Sequence, residues 1–197
     1  MPHTAPLPSL RTLLVGLGLV LAPQAGQAQA VYWTRAQVLE DFFSESKRVT
    51  YRAYTLDVET RRILTKRLGY APPTTLTVYY GLTAGAVDGL AVIDQEMGQH
   101  KPITFAVLVD PRGVMKRLEI MVYREPKGDE VRQERFRAQF DGKTARDPLA
   151  QGQDVVAVSG ATISSKAMAR GARRALVMLD ELVLRPGLES LSQTGKR

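Results

Sequence analysis

Cysteine is absent from the 197-residue sequence, and histidine occurs only twice. Without cysteine the chain has no disulfide, thiolate zinc site or iron–sulfur cluster, and it cannot attach a c-type haem through Cys-x-x-Cys-His. His100 is the single histidine after the first thirty residues, and neither a Ser-His-Asp arrangement nor an HExxH helix is present. The sequence therefore predicts no catalytic residue and no metal ligand.

Long apolar runs are also lacking, except near the N-terminus. Arg11 precedes an apolar run from Leu13 to Leu21, and the small residues Ala28 and Ala30 follow it. This order is typical of a secretory signal peptide. The run is far shorter than the roughly 20 residues that span a bilayer, which argues against the alternative of an uncleaved membrane anchor. We expect cleavage near Ala30 and a periplasmic mature protein.

The charge is moderately basic, with a formal net value of +7. A basic protein can bind nucleic acid, an anionic membrane surface or an acidic protein. Export and the lack of aromatic residues interleaved with the Lys and Arg argue against nucleic acid. An acidic redox partner is compatible with this charge.

The first part of the mature chain has helical periodicity. Thr34 is a predicted N-cap for a helix with apolar residues at Val38, Leu39, Phe42 and Phe43. A second helix is predicted to begin near Asp57 and to end at Gly69, before two prolines.

Strand patterns follow, at 75–80, 89–93, 103–109 and 114–123, with an Asp-Pro-Arg-Gly turn at 110–113. Helices are predicted at 131–140 and from about Ser164 to about Leu184. These elements predict the α+β class, an antiparallel sheet flanked by helices. We expect a signal peptide over 1–30, a helical N-terminal segment over 31–73, one domain over 74–185 and a C-terminal tail over 186–197.

The most informative stretch is 156–165, where an apolar strand pattern runs into small residues and then into a helix. Gly160 permits a positive φ or a close approach to a ligand, and Ala161 leaves the bend uncluttered. Thr162 and Ser164 place hydroxyls beside the unpaired amides of the helix start, which favour anions such as phosphate. The alternative is an ordinary Ser/Thr cap after a glycine turn.

Ser159-Gly160-Ala161-Thr162 resembles the flavinylation motif of the FMN-binding domain family. This family includes periplasmic flavin-bearing subunits of sodium-pumping NADH:quinone reductase and of related ferredoxin-linked complexes. The resemblance implies that a flavin transferase joins Thr162 to the phosphate of FMN, with FAD as donor and AMP as leaving group. It makes 74–185 an FMN-binding domain, with residues 31–73 as a helical extension.

A second block supports the resemblance. Residues 123–131 are similar to the family segment in which a Glu and a following Gly help to form the flavin pocket, here Glu125 and Gly128. The likeness extends over roughly 87–179. The family pattern has Asp three residues before the motif Ser, whereas this chain has Val156 there and Asp154 two residues earlier.

The predicted cofactor-binding residues surround the phosphate of FMN. The hydroxyls of Ser159 and Ser164, and the Lys166 ammonium, are expected to contact its oxygens. Arg170 and Arg174 continue the Lys166 stripe at intervals of four residues, and we expect them to be solvated.

The resemblance implies an electron carrier without a substrate pocket of its own, with a membrane-bound or periplasmic redox partner. Two alternatives stay open. One is an oxidoreductase that binds FMN reversibly and turns over a small substrate. The other is a flavin-free binding or sensing module of the same fold.

Overall fold

A six-stranded antiparallel sheet forms the centre of the protein, in a computed structural model that describes residues 29–188. The spatial order is β1-β6-β5-β4-β3-β2. The predicted signal peptide lies almost wholly outside the described residues, as does most of the predicted C-terminal tail. The strands are β1 (Ala30–Val31), β2 (Arg48–Thr55), β3 (Thr75–Thr83), β4 (Ala86–Met97), β5 (Pro102–Val109) and β6 (Met115–Tyr123).

Both helices of the N-terminal segment begin at the predicted caps. In α1 (Arg35–Phe42), the Thr34 hydroxyl accepts a hydrogen bond from the Gln37 amide at 3.2 Å, and the Gln37 side chain accepts one from the Thr34 amide at 2.9 Å. In α2 (Val58–Leu68), Asp57 accepts from the Thr60 amide at 2.7 Å. Gly69 ends α2 with a left-handed φ of 82°. These helix predictions are confirmed.

The meander β3-β4-β5-β6 is also confirmed, and each of its antiparallel pairs joins neighbours in the sequence. The sequence pattern does not predict β2, which pairs along its whole length with β3. Seven of its eight residues are exposed, so the strand has no buried stripe that would give an apolar alternation. The segment 31–73 therefore contains β2 and the second residue of β1 in addition to its two helices.

The helices after the sheet are less regular than expected. Residues predicted as one helix at 131–140 form a 3-10 turn (Asp129–Arg132), the four-residue α3 (Glu134–Arg137) and a second 3-10 turn (Ala138–Phe140). The long helix α4 (Thr162–Leu179) continues into a π-helical turn (Asp180–Leu184). Within residues 29–188, no helix is both long enough and apolar enough to cross a membrane.

The two faces of the sheet carry different layers. Helices α2 and α4 pack on one face over the larger core, which includes Phe105, Ile120 and Met168. Helix α1 packs on the other face over a small cluster around Val38 and Ala106. Helix α4, which begins at the Ser159–Thr162 motif, packs into the larger core.

A buried ion cluster fixes α4 to β4. The Arg174 side chain is 6% exposed, and its Nε lies 2.9 Å from Asp94 Oδ2. Its Nη1 pairs with Glu96, and its Nη2 donates to the Gln95 carbonyl oxygen at 2.7 Å. The expectation that Arg174 is solvated is therefore wrong, because two carboxylates and a carbonyl on β4 compensate its burial.

Candidate functional site

The motif Thr162 is the first residue of α4 and is exposed. No side chain caps this helix start, so its first backbone amides have no side-chain acceptor among the described residues. Gly160 has a φ of 82°, which is the left-handed conformation that glycine adopts without strain. The loop thus turns into α4 and leaves Thr162 exposed at the helix start.

The two serines after Thr162 point inward. Ser164 Oγ lies 2.7 Å from Tyr123 Oη, and the side chain is buried. Ser165 Oγ is fully buried and accepts a hydrogen bond from the Val158 amide at 3.1 Å. The Ser164 side chain is therefore buried under the first turn of α4, whereas Thr162 and Ser159 are exposed.

The second sequence block packs directly against the motif helix. Tyr123, at the end of β6, donates its hydroxyl to the Lys127 carbonyl oxygen at 2.6 Å. Gly128 has a φ of 95°, and a Cβ there would lie 2.6 Å from Tyr123 Oη and 2.7 Å from Ser164 Oγ. Only glycine fits this position. Burial raises the pKa of Tyr123, so its hydroxyl stays protonated at neutral pH.

Glu125 lies beside the turn between β4 and β5. Its Oε1 accepts hydrogen bonds from the backbone amides of His100 at 2.5 Å and Lys101 at 2.8 Å. Burial raises the pKa of Glu125, but the two amide hydrogen bonds outweigh it and the net pKa is lower than usual. The carboxylate is thus ionised and braces this turn. Its contact with flavin stays a prediction, as does that of Gly128.

The family pattern has an Asp where this chain has Val156, and the nearby Asp154 does not take its place beside the motif. The Val156 side chain is 73% exposed, while Gln139 holds its backbone through hydrogen bonds of 2.7 and 3.1 Å. Asp154 accepts from the amides of Leu149 and Ala150 and pairs with Lys143 at 3.0 Å. It therefore holds the loop before the motif.

Glu130 is the carboxylate closest to the motif turn among these candidates. Its Oε1 lies 3.8 Å from the position that a Cβ on Gly160 would occupy. Its Oε2 is buried and has no hydrogen-bond partner within residues 29–188. The sequence pattern does not single out Glu130, although this residue lies two positions after Gly128 in the second block. An unpaired buried acceptor at this place fits a ligand that carries hydroxyl groups.

Two cavities flank the start of α4. The larger, of about 490 Å³, lies between the end of α2, the loop 148–153 and α4. The smaller, of about 430 Å³, lies between Val156–Ser159 and the helical segment containing Phe136 and Gln139. Both volumes are within the usual range for small-molecule sites. Lys166 lines the larger cavity one helical turn after Thr162.

Comparison with known proteins finds a family match over the part of the chain that contains the motif and the second sequence block. Residues 98–177 match the FMN-binding domain family, which indicates FMN as the cofactor. A solved structure of NqrC from Shewanella oneidensis is 17% identical, covers 82% of this chain and 89% of its own, and has a TM-score of 0.49. No protein of curated function matches the sequence.

Proposed function

Because residues 98–177 belong to the FMN-binding domain family, we propose that this chain is a periplasmic electron-transfer protein with FMN linked to Thr162. The observation that carries the linkage is the position of the Thr162 hydroxyl. It is exposed at the uncapped start of α4, while the hydroxyls of Ser164 and Ser165 are buried and bonded to protein atoms. On α4's first turn, Thr162 is the hydroxyl that a transferase can reach.

The attachment is a phosphoryl transfer onto Thr162. The Thr162 oxygen forms a bond to the FMN phosphorus of FAD while the bond from that phosphorus to the AMP portion breaks. AMP leaves with the bridging oxygen, and the threonine proton passes to solvent. No electron is gained or lost, so the step needs FAD and a flavin transferase but no redox partner.

Three features of the chain would hold the resulting phosphodiester. The backbone amides at the start of α4 have no side-chain cap, and the helix dipole would favour the negative charge of a phosphodiester there. Lys166 is exposed one turn along α4, and Ser159 is exposed before the turn. Glu130 offers its unpaired oxygen to a hydroxyl of the ribityl arm. These assignments are part of the proposal.

Bound FMN would supply a ring that takes up and releases one or two electrons. The chain's contribution is to retain and orient the cofactor at an exposed helix start, where a redox partner can approach it. A covalent link also prevents loss of FMN from an exported protein. These properties suit an electron carrier better than an enzyme with its own substrate.

The location and the partners follow from the same proposal. The predicted signal peptide supports export to the periplasm. The flavin transferase would act on the exported chain, and a membrane-bound redox complex would donate or accept electrons. The net charge of +7 suits an acidic contact surface on that partner.

Intact-mass measurement tests this function. The full-length precursor is exported in a host that expresses a flavin transferase, and the mature chain is expected to gain the mass of one FMN minus one water. Thr162→Ala should abolish the gain, whereas Ser159→Ala should retain it, because the Ser159 hydroxyl is not the attachment point.

Two outcomes would contradict the linkage. An unmodified mass with yellow colour released on denaturation would indicate reversible FMN binding and favour the oxidoreductase alternative. An unmodified, colourless chain, in a host that flavinylates a control substrate, would leave the flavin-free binding module.

A further inference from the structure

The two edges of the sheet are closed to different extents. At one edge, β1 pairs with the last two residues of β6. A loop bonds the start of β6, where the Met115 amide donates to the Lys143 carbonyl oxygen at 2.7 Å and the Gly142 amide donates to the Met115 carbonyl oxygen at 2.9 Å. At the other edge, β2 has eight residues and no strand neighbour on its outer side within residues 29–188. Strand β2 is therefore the open edge of the sheet.

The backbone of β2 is suited to accept a further strand. All eight of its residues pair with β3 in one register, without the shifts that interrupt the β3–β4 and β5–β6 pairs. The strand contains neither glycine nor proline. Short length, proline and bulges commonly keep an edge from pairing, and β2 has none of these features. The alternate N–H and C=O groups on its outer side are therefore available to an extended chain.

One face of β2 is cationic. Arg48 and Arg52 lie on the same face, because side chains separated by an even number of positions project to one side of a strand. Both are exposed, as is Lys47 directly before the strand. The Arg52 guanidinium lies 5.0 Å from the centre of the Tyr54 ring. None of the three cations has a carboxylate partner within residues 29–188, and neither β2 nor β3 contains an acidic residue. The field along this edge therefore favours an acidic chain.

The opposite face of β2 is apolar and uncovered. Val49 and Tyr51 lie on this face and are 42% and 70% exposed. The Tyr51 ring lies beside that of Tyr79 on β3, with 6.1 Å between the ring centres. Tyr79 packs against the small cluster under α1, so the two rings continue this cluster toward the edge. Apolar side chains on an added strand would cover Val49 and Tyr51.

The charges on β2 select against one occupant of the edge. Pairing with a second copy of this chain would bring two rows of cations together, and like charges on adjacent strands repel. A strand that alternates acidic and apolar residues has the opposite property. Its carboxylates would lie beside Arg48 and Arg52, and its apolar side chains beside Val49 and Tyr51, because paired residues on adjacent strands project to the same face.

We propose that the β2 edge binds an extended segment of a partner protein, in which acidic and apolar residues alternate, by adding it to the sheet as a further strand. Backbone hydrogen bonds supply affinity in this mode of recognition, and the alternate side chains supply specificity. No residue of β2 belongs to the candidate site around Thr162. This surface is thus additional to the proposed site of flavin attachment and does not depend on it.

The test uses the exported mature chain and three synthetic octapeptides with blocked ends. The first alternates glutamate and valine, the second alternates lysine and valine, and the third is the glutamate peptide with two valines replaced by proline. In titration calorimetry the glutamate peptide should bind at least about tenfold more tightly than either of the others. Its affinity should fall when salt is raised from about 0.1 M to about 1 M, because the Debye length shortens.

A charge reversal on the edge tests the cationic face. Arg48→Glu should weaken binding of the glutamate peptide about fivefold and strengthen binding of the lysine peptide. The matched control is Arg61→Glu on α2, since Arg61 is also exposed and has no ion-pair partner within residues 29–188. This control should leave both affinities unchanged. Equal losses in the two variants would show that net charge, and not the β2 edge, attracts the peptide.

Hydrogen exchange locates the bound peptide. With the glutamate peptide, the amides of β2 should gain more protection than those of α4. Failure of this peptide to bind, or protection centred away from β2, would overturn the inference. A dimer of the unliganded chain in sedimentation at about 0.1 M salt would do so as well, because a second copy would then occupy the edge.

The failure of this proposal can be told apart from failure of the proposed function. Thr162→Ala lacks the proposed attachment point and should bind the glutamate peptide with the affinity of the parent chain. A chain that gains FMN by mass but does not bind the peptide would refute the β2 surface alone. A chain that binds the peptide at β2 but never gains FMN would refute the flavin linkage alone.

Discussion

The two faces of the sheet differ in how much of the chain covers them. One face is the motif face, which is covered by the helix α4 that begins at the Ser159–Thr162 motif. On this face a large core with fully buried central residues is enclosed by α2, α4 and the segments before α4. On the opposite face, the eight-residue α1 covers a small cluster, and Val49 and Tyr51 stay exposed. The proposed cofactor site is thus built on the better-packed face, where side chains are held in place on several sides. If this difference in packing separates stability from flavin binding, variants on the motif face should lose the most stability, and variants on the opposite face should still bind flavin.

The largest expected effect is the loss of the ion cluster on the motif face. Arg174→Met removes the guanidinium and leaves Asp94 and Glu96 without their buried cation. We expect the free energy of unfolding to fall by about 3–5 kcal/mol, measured by urea denaturation.

A matched control is available on α2. Arg62 pairs with Glu59, and their side chains are 71% and 64% exposed. Arg62→Met should cost far less than Arg174→Met, because solvent already screens this pair. Equal losses in the two variants would show that burial does not set the strength of the cluster.

A smaller and pH-dependent effect is expected for Asp154. Burial raises its pKa, but the Ala150 and Leu149 amides and Lys143 together hold the net pKa below its usual value. This carboxylate therefore stabilises the fold above pH about 4, and the contribution is lost as the pH falls through the lowered pKa.

Asp154→Asn should lower the free energy of unfolding at pH 7 by about 1–2 kcal/mol. Denaturation curves of both proteins, measured from pH 7 into the acid range, should show a difference that shrinks as the pH falls below about 4. A difference that is constant over this range would mean that the ionised form contributes nothing.

The smallest expected effect is on the opposite face. Thr34→Ala removes the capping box of α1 and should cost about 1 kcal/mol in a denaturation experiment. The intact mass should still show one FMN per chain, because α1 does not contact the motif face. Impaired flavin loading in this variant would show that the two faces are coupled.

The sequence predicted those parts of the fold that have local signals. Thr34, Asp57 and Gly69 are cap residues, and the caps fix both ends of α2 and the start of α1. The strands β3 to β6 have β-branched and apolar runs with short connections. In contrast, β2 has no buried stripe, and its pairing depends on β3 rather than on its own residues.

The site was predictable only where residues are close in sequence. One continuous stretch contains Ser159, Gly160, Thr162, Ser164 and Lys166, and a second stretch contains Glu125 and Gly128. Tyr123 and Ser164 lie far apart in the chain, and their contact depends on how α4 packs against the end of β6. The burial of Arg174 depends likewise on β4, since a stripe of cations on a helix does not indicate the acidic strand beneath it.

The edge strand β2 influences how the molecule behaves in concentrated solution. Its outer side has no strand neighbour within residues 29–188, so its backbone is a template for pairing with another copy. Lys47, Arg48 and Arg52 are exposed along it and repel the same edge of a second molecule. Added salt screens this repulsion, since the Debye length falls from about 10 Å at 0.1 M to about 3 Å at 1 M. We therefore expect added salt to promote association through the β2 edge, which lies at the opposite end of the sheet from β1.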